Sequence, residues 1–325
     1  MWRRRALAPA LASILAAAAL AEVPVVDVTR HGAPPAQGVS DTFLGSEGGR
    51  TAVYKPNAPI GMLSDGTPWM KTGNLSGEWL GTRVMNDLGV SSPQVDMVRV
   101  RGEAVPYARI QHMQELFPGQ QLAQGIHGLP KGAVLDLDAM RRMQAVDLLI
   151  GNTDRHGTNV WFHQDKLTGR WKPIAFDHNL AMATTASTGN DFTAFQEAMT
   201  GRSKSGVEAP NSQTRGIWNR NSVYRGVMND PRAAQGLLAE ARHVQATLTD
   251  ARIDQLVDAM PDEAIGPDDK AARRQELKDH LKRRRGELVR TAEATLRNHP
   301  AYVRTEWRLQ GLPEDLRAHL PADLE

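Results

Sequence analysis

Three oxygen-bearing side chains in one stretch of this sequence are spaced for work on a metal-bound phosphate. The stretch is residues 147–177, DLLIGNTDRHGTNVWFHQDKLTGRWKPIAFD. Asp154 and Asn159 stand five apart in a Gly-containing loop, NTDRHGTN, and Asp177 closes the stretch. Between them lie an apolar run, Val160-Trp161-Phe162, a polar turn over 165–169 and a second apolar run over 173–176. That pattern predicts helix, loop, β-hairpin and then a carboxylate. A loop acid, an amide oxygen and an acid beyond the hairpin can converge on one divalent cation and one reacting hydroxyl. Phosphoryl transfer asks for such a trio: one group takes the nucleophile's proton, and two oxygen donors hold magnesium on the phosphates.

A phosphate also needs positive charge and backbone N–H groups. The run Gly45-Ser46-Glu47-Gly48-Gly49 reads as a Gly-rich turn before a short strand that delivers Lys55. Glycines let N–H groups approach phosphate oxygens, and a lysine beyond can reach them as a point charge. An ordinary hairpin turn with a solvent-facing lysine fits the same residues. Glu78 lies in the first turn of a predicted helix, either as a solvated acid favouring the helix dipole or as the ion-pair partner of Lys55.

The elements that must hold these residues follow from periodicity and punctuation. Residues 74–88 carry a helical stripe, Leu75, Trp79, Leu80, Val84 and Leu88, closed by Gly89. Strands over 97–101 and 104–112 flank a tight turn at Gly102-Glu103, and residues 111–116 then cross into a Gly/Gln-rich loop. Asp138 reads as the N-cap of a helix to Ile150, with Met140, Met143, Val146 and Ile150 inward and Gly151 as its stop. Residues 184–229 are a long polar stretch suited to substrate contacts, with disorder the competing expectation over 203–214. Asp230-Pro231 opens a helix to about 248, Thr249-Asp250 opens another to 261, and residues 267–298 read as one long charged helix. The basic run within it, residues 282–285, reads as a solvated face. Residues 22–43, broken by Pro34-Pro35, read as a loosely packed lead-in.

Composition removes several function classes. The start, Met1-Trp2-Arg3-Arg4-Arg5, followed by an Ala/Leu-rich run and Ala19-Leu20-Ala21, has the form of a secretory signal over residues 1–21. The apolar run is too short for a comfortable span, so the expectation is an exported chain, periplasmic or secreted, with no stable membrane span after cleavage. Cleavage removes three arginines and no acids, leaving 39 − 3 = 36 basic residues against 37 acidic ones. A near-neutral chain gives no warrant for nucleic acid as a partner. Cysteine is absent, which excludes disulfides, thiolate nucleophiles and thiolate zinc sites.

The order of these signals carries a resemblance. GGRTAVYKP, GEWLGTRVMNDLGV, DLLIGNTDRHGTNVWF and PIAFDHNLAM together resemble the phosphatidylinositol 3-/4-kinase-like branch of the protein-kinase-like superfamily. Type II phosphatidylinositol 4-kinases and the HipA kinases are similar in the same way. The resemblance implies an α+β, two-lobed protein-kinase-like fold: a small antiparallel β lobe with one helix, over 44–119, and a larger, mostly helical lobe over 120–325. It implies ATP and Mg2+. Lys55 would bind the α- and β-phosphates and pair with Glu78, with Gly45, Ser46, Gly48 and Gly49 lining the nucleotide. Asp154 would orient and deprotonate the acceptor hydroxyl, His156 would stabilise developing charge, and Asn159 and Asp177 would hold the metal. His178-Asn179 follows Asp177 where relatives carry Phe-Gly or Asn-Gly. The acceptor, protein or lipid, stays open, and the near-neutral charge favours protein.

Three other readings compete. Arg30-His31-Gly32 resembles the nucleophilic motif of the histidine phosphatases. Asp154, His156, His163, Asp177 and His178 have the residue types of a metal-dependent phosphohydrolase, with His163 free to point outward from its strand. A nucleotide-binding pseudokinase or interaction protein would need fewer than the five groups Lys55, Glu78, Asp154, Asn159 and Asp177.

Overall fold

The computed structural model describes residues 23–31, 42–57, 60–62, 68–70, 75–152, 155, 157–178, 181–182, 224, 233–265 and 269–298. The expected signal over 1–21, the Asp230-Pro231 helix start and, apart from Tyr224, the polar stretch 184–229 lie outside them.

The small lobe is a curled sheet built on alternation. Its strands are β1 (Val25–Val26), β2 (Thr29–Arg30), β3 (Phe43–Glu47), β4 (Arg50–Pro56), β7 (Val95–Val100) and β8 (Pro106–Gln111), in the order β1-β7-β8-β4-β3-β2. A separate hairpin pairs β5 (Ile60–Met62) with β6 (Pro68–Met70). β1 and β2 occupy opposite edges although only Asp27 and Val28 separate them, so the sheet must curl until its edges approach. Its inner face buries Val26, Phe43, Tyr54, Val98, Val100 and Tyr107, with the Phe43 and Tyr54 rings stacked 5.2 Å apart. Residues 23–31, expected as a loose lead-in, therefore supply both edge strands. Strands of two residues around Pro24 and Asp27 are too short to register as periodicity.

The other face of the sheet packs on α1 (Leu75–Asp87), where Val95, Met97, Ala108 and Ile110 meet Trp79, Leu80, Val84 and Met85 in the main core. A short helix, α2 (Met113–Leu116), then crosses to the large lobe. There β9 (Leu122–Gln124), β10 (Val160–Gln164) and β11 (Trp171–Ala175) form a three-stranded sheet, with Trp161 opposite Ile174 in the expected hairpin. The central helix is α3 (Leu137–Ile150), packed by α1, α4 (Ala233–Thr247), α7 (Lys270–Gly286) and α8 (Leu288–Asn298). The small β lobe with its one long helix and the mostly helical large lobe agree with the expected fold class.

Four local expectations change. Asp136, not Asp138, caps α3: its carboxylate accepts from the Ala139 N–H at 3.0 Å, while Asp138 pairs with Arg141. The single helix expected over 267–298 is two, because Gln245 of α4 donates to the carbonyls of Arg285 and Gly286 at 2.9 and 3.0 Å and diverts them from the ladder. The basic run is not a purely solvated face. Lys278, Lys282 and Arg285 pair with Asp258, Asp254 and Asp250 of α5 (Asp250–Asp258), and Arg284 is buried. His163 does not point outward; it is buried against Phe117, ring centroids 4.0 Å apart, with its Nδ1 2.9 Å from Gln120 Oε1.

The C-terminal helices reach back to the small lobe. Ser76 Oγ, in the first turn of α1, donates to the Ala264 carbonyl of α6 (Asp262–Ile265) at 2.6 Å. Arg252 of α5 forks onto Asp87 at the other end of α1. Among the described residues no helix is long and apolar enough to cross a membrane.

Candidate active site

Three elements meet at Lys55. β4 carries its side chain on the face opposite Tyr54, so the ammonium enters the space between sheet and α1. Glu78, one turn into α1, meets it: Lys55 Nζ lies 3.0 Å from Glu78 Oε2, with the two side chains 7% and 1% exposed. Asp177 arrives from the end of β11 and accepts from the same Nζ at 2.9 Å, its own side chain 28% exposed. Of the two readings open for Lys55 and Glu78, the ion pair is the one formed. Burial alone would push the Lys55 ammonium down, but Asp177 and Glu78 hold it above its ordinary value. Glu78 is pushed up by burial against the pull of Lys55, with the Asp177 charge adding to the push. One ammonium thus faces two carboxylates.

Asp177 reaches back to Lys55 because its backbone lies in the left-handed region, at φ 56°, a conformation uncommon for a residue with a Cβ. The turn also directs the following N–H, that of His178, onto Glu78 Oε2 at 3.2 Å. The His178 ring is fully buried. It packs against Gly81 of α1, where an added Cβ would lie 2.8 Å from the His178 Cβ. Its Nδ1 is 3.2 Å from Arg155 Nη2 and its Nε2 is 3.1 Å from Ser92 Oγ, which donates onward to the Ala175 carbonyl at 2.8 Å. The guanidinium can only donate, so Nδ1 accepts and the proton sits on Nε2. Burial first, and Arg155 second, push the His178 pKa well below the ordinary value, so the ring stays neutral.

Arg155 is the second centre. Its Nε and Nη2 fork onto Asp147 at 2.9 and 3.0 Å, with both side chains 0% exposed. Its Nη1 donates to the Asn159 and Phe176 carbonyls, and Nη2 also donates to His178. All five guanidinium N–H groups thereby have acceptors, drawn from α3, the loop and the segment after β11. Asp147 also accepts from the Tyr224 hydroxyl. Sequence reasoning missed Arg155, Asp147, His178 and Tyr224 in these roles. One signal was available: Asp147 falls four residues after Met143 on the apolar stripe of α3, where a carboxylate requires a buried partner.

The remaining expected residues fall out as follows. Asn159 ends a 3₁₀ turn over Gly157–Asn159, is buried, and its carbonyl accepts from the Phe176 N–H at 3.2 Å, which sets it beside Asp177 at the mouth of the hairpin. Asp154 and His156, which flank Arg155 in the sequence, lie outside the described residues. Gly48 and Gly49, at φ 54° and 82°, form the tight turn joining β3 to β4. Gly45 and Ser46 belong to β3 itself, paired with Ala52 and Thr51. That turn is at the far end of β4 from Lys55, about 20 Å away along the strand at its usual rise. The glycines therefore do not join the Lys55 cluster. The Lys55 end of the sheet is instead where β2 leaves and β3 begins, as the bond from His31 N–H to the Leu44 carbonyl, 2.8 Å, and the pairing of Phe43 with Tyr54 require.

The donors suit a divalent cation by type: a carboxylate and a carboxamide are hard oxygen ligands. Among the described residues no group of three His, Asp or Glu could hold a metal. The candidate phosphohydrolase ligands disperse accordingly: His163 stacks on Phe117, and His178 turns to Arg155 and Ser92. In the histidine-phosphatase reading Arg30 would clamp phosphate, but it pairs with Glu103 and lies 4.1 Å over the Phe43 ring.

A family profile described as CotH kinase protein matches residues 131–304, more than half of the chain. The match includes α3, the loop, the hairpin and Asp177, and stops short of Lys55 and Glu78. Among solved structures, the Helicobacter pylori proinflammatory kinase CtkA is similar in fold, with a TM-score of 0.52 at 12% identity, over 87% of this chain and 100% of that one. HipA of Shewanella oneidensis MR-1, in complex with HipB and operator DNA, matches with a TM-score of 0.42 at 14% identity, over 82% of this chain and 68% of that one. The golgi casein kinase with Mn/ADP bound matches at 0.41 and 9% identity, over 90% and 76% of the respective chains. A search of curated proteins finds no relative of this sequence.

Proposed function

Given that the chain belongs to the CotH kinase family and is a phosphotransferase of the atypical protein-kinase-like type, we propose that it transfers the γ-phosphoryl group of ATP to a protein hydroxyl. Lys55 binds the nucleotide phosphates and Glu78 holds it there. Asn159 and Asp177 are the oxygen ligands for Mg2+, which when bound would neutralise charge on the phosphates. Asp154 orients the acceptor hydroxyl and takes its proton, and His156 steadies charge at the transferred group.

The observation that carries this reading is the bridge from Lys55 to both Glu78 and Asp177. A lysine buried only for packing would need one carboxylate. The second, more exposed carboxylate sits one hydrogen bond from the ammonium that a phosphate would approach. A metal held by Asp177 and a phosphate held by Lys55 would then be adjacent. A near-neutral chain after removal of 1–21 supports a protein acceptor over an anionic lipid surface. The phosphatidylinositol-kinase resemblance then concerns the N-T-D-R-H loop and not the substrate. The signal-like start supports export, which requires ATP in the compartment reached.

The test uses the chain lacking residues 1–21, incubated with γ-labelled ATP and Mg2+ or Mn2+, alone, with lysate proteins or with lipid vesicles. The proposal expects metal-dependent label on protein, lost in Asp154→Ala while nucleotide still binds. Label on lipid alone would overturn the acceptor assignment. An Asp154→Ala chain working at the wild-type rate would overturn the base.

A further inference from the structure

We propose that Asp147 and Tyr224 are positioning residues for phosphotransfer, holding Arg155 and thereby the loop of Asp154 and Asn159 in one geometry. The inference rests on the roles proposed above for those two loop residues.

Asp147 grips the loop twice. Its backbone carbonyl accepts from the N–H groups of Gly151 and Asn152, the first two residues after α3. Its carboxylate takes the forked guanidinium of Arg155, the residue directly after Asp154. The same guanidinium bonds the carbonyls on either side of the hairpin mouth, Asn159 before it and Phe176 just ahead of Asp177. Both ends of the loop and the start of the Asp177 segment are therefore referred to one carboxylate on a rigid helix.

The planar fork matters here more than the charge. A buried ion pair is often replaceable by apolar groups at no loss of stability, but only a guanidinium fixes angle and distance to five acceptors at once. Tyr224 completes the carboxylate. Its hydroxyl donates to Asp147 Oδ2, the oxygen that also accepts Arg155 Nε. Burial, then the charge of Asp147, push the phenol well above its ordinary value, so it remains a donor. Tyr224 comes from 77 residues along the chain, inside the polar stretch expected to contact substrate. The stretch and the loop thus share an anchor.

The experiment compares wild type, Tyr224→Phe, Asp147→Asn and the double variant. Readouts are formation of ADP from Mg-ATP with the lysate proteins present as acceptor, KM for Mg-ATP, and amide hydrogen exchange over residues 152–159. Tyr224→Phe removes one oxygen and keeps the ring. It should lower kcat about tenfold, the scale of one hydrogen bond to a charged group, leave KM within about twofold, and speed exchange in the loop. The double variant should lose less than the product of the two single losses, since Asp147 and Tyr224 hold the same guanidinium. Tyr224→Phe with wild-type kcat and wild-type exchange would overturn the inference, as would losses that multiply in the double variant. If Asp147→Asn does not fold, Tyr224→Phe decides alone. A wild-type chain without turnover would sink the proposed roles instead, and the exchange readout would still decide whether Tyr224 holds the loop.

Discussion

Two charged clusters share His178 and are built to opposite ends. Around Lys55, one cation meets two carboxylates, and Asp177 stays 28% exposed. Around Arg155, one cation meets one carboxylate with a tyrosine hydroxyl, both charged side chains are 0% exposed, and every guanidinium N–H is bonded. His178 joins them, its N–H on Glu78 and its ring against Arg155. The first cluster keeps one carboxylate within reach of solvent, whereas the second buries both of its charges. A carboxylate at the surface can meet a metal or a phosphate, whereas a fully buried pair can only hold its surroundings still.

The sharpest way to break the contrast is to remove the cation from the closed cluster. Arg155→Ala leaves Asp147 buried without its ion-pair partner, which should cost about 3–5 kcal/mol of stability. Denaturant unfolding measures it directly. The matching change in the open cluster, Asp177→Asn, leaves Lys55 its bond to Glu78 and should cost under about 1 kcal/mol. It should instead weaken Mg-ATP binding by about tenfold or more, which is about 1.4 kcal/mol of affinity, read by calorimetry with and without metal. Equal stability losses in the two variants would erase the distinction drawn here.

The hairpin ahead of Asp177 was legible in the sequence because it depends on local signals, whereas the pairing of Lys55 with Glu78, 23 residues on, followed only from the family resemblance. A strand lysine, a first-turn glutamate and a turn between two apolar runs each have a short-range signature. The Arg155 network was not legible, since its members come from residues 147, 159, 176, 178 and 224, and no window contains them. The helix break at Gly286 failed for the same reason: Gln245, 40 residues earlier, takes the carbonyl of Arg285. The turn ahead of the Lys55 strand was legible from its glycines, two of which take the positive φ that the turn requires.

Buried histidines extend the contrast to pH. His178 is neutral inside a satisfied network, while His280 of α7 is pushed down to about 2, by burial first and then by Arg284, Arg283 and Arg273. The folded chain thus resists protonating a ring that the unfolded chain protonates below about pH 6.5. The unfolded state binds the extra proton, so stability is full above that pH and falls as pH drops, by up to about 1.4 kcal/mol per unit for His280. Thermal unfolding between pH 7.5 and 5 should show the decline, and His280→Gln should flatten it. An unchanged slope in His280→Gln would remove this histidine as its source.

The smallest effect tests the far end of β4. Gly48 and Gly49 need positive φ for the two-residue turn, and an added Cβ at either would meet nothing within 4 Å, so only backbone strain opposes a side chain there. Gly48→Ala and Gly49→Ala should each cost about 1 kcal/mol of stability. Because the turn lies across the sheet from Lys55, neither should move the affinity for Mg-ATP, in contrast to Asp177→Asn. A Gly49→Ala chain that folds with wild-type stability but binds nucleotide several-fold more weakly would return those glycines to the phosphates, and the Lys55 cluster would then no longer account for nucleotide binding without them.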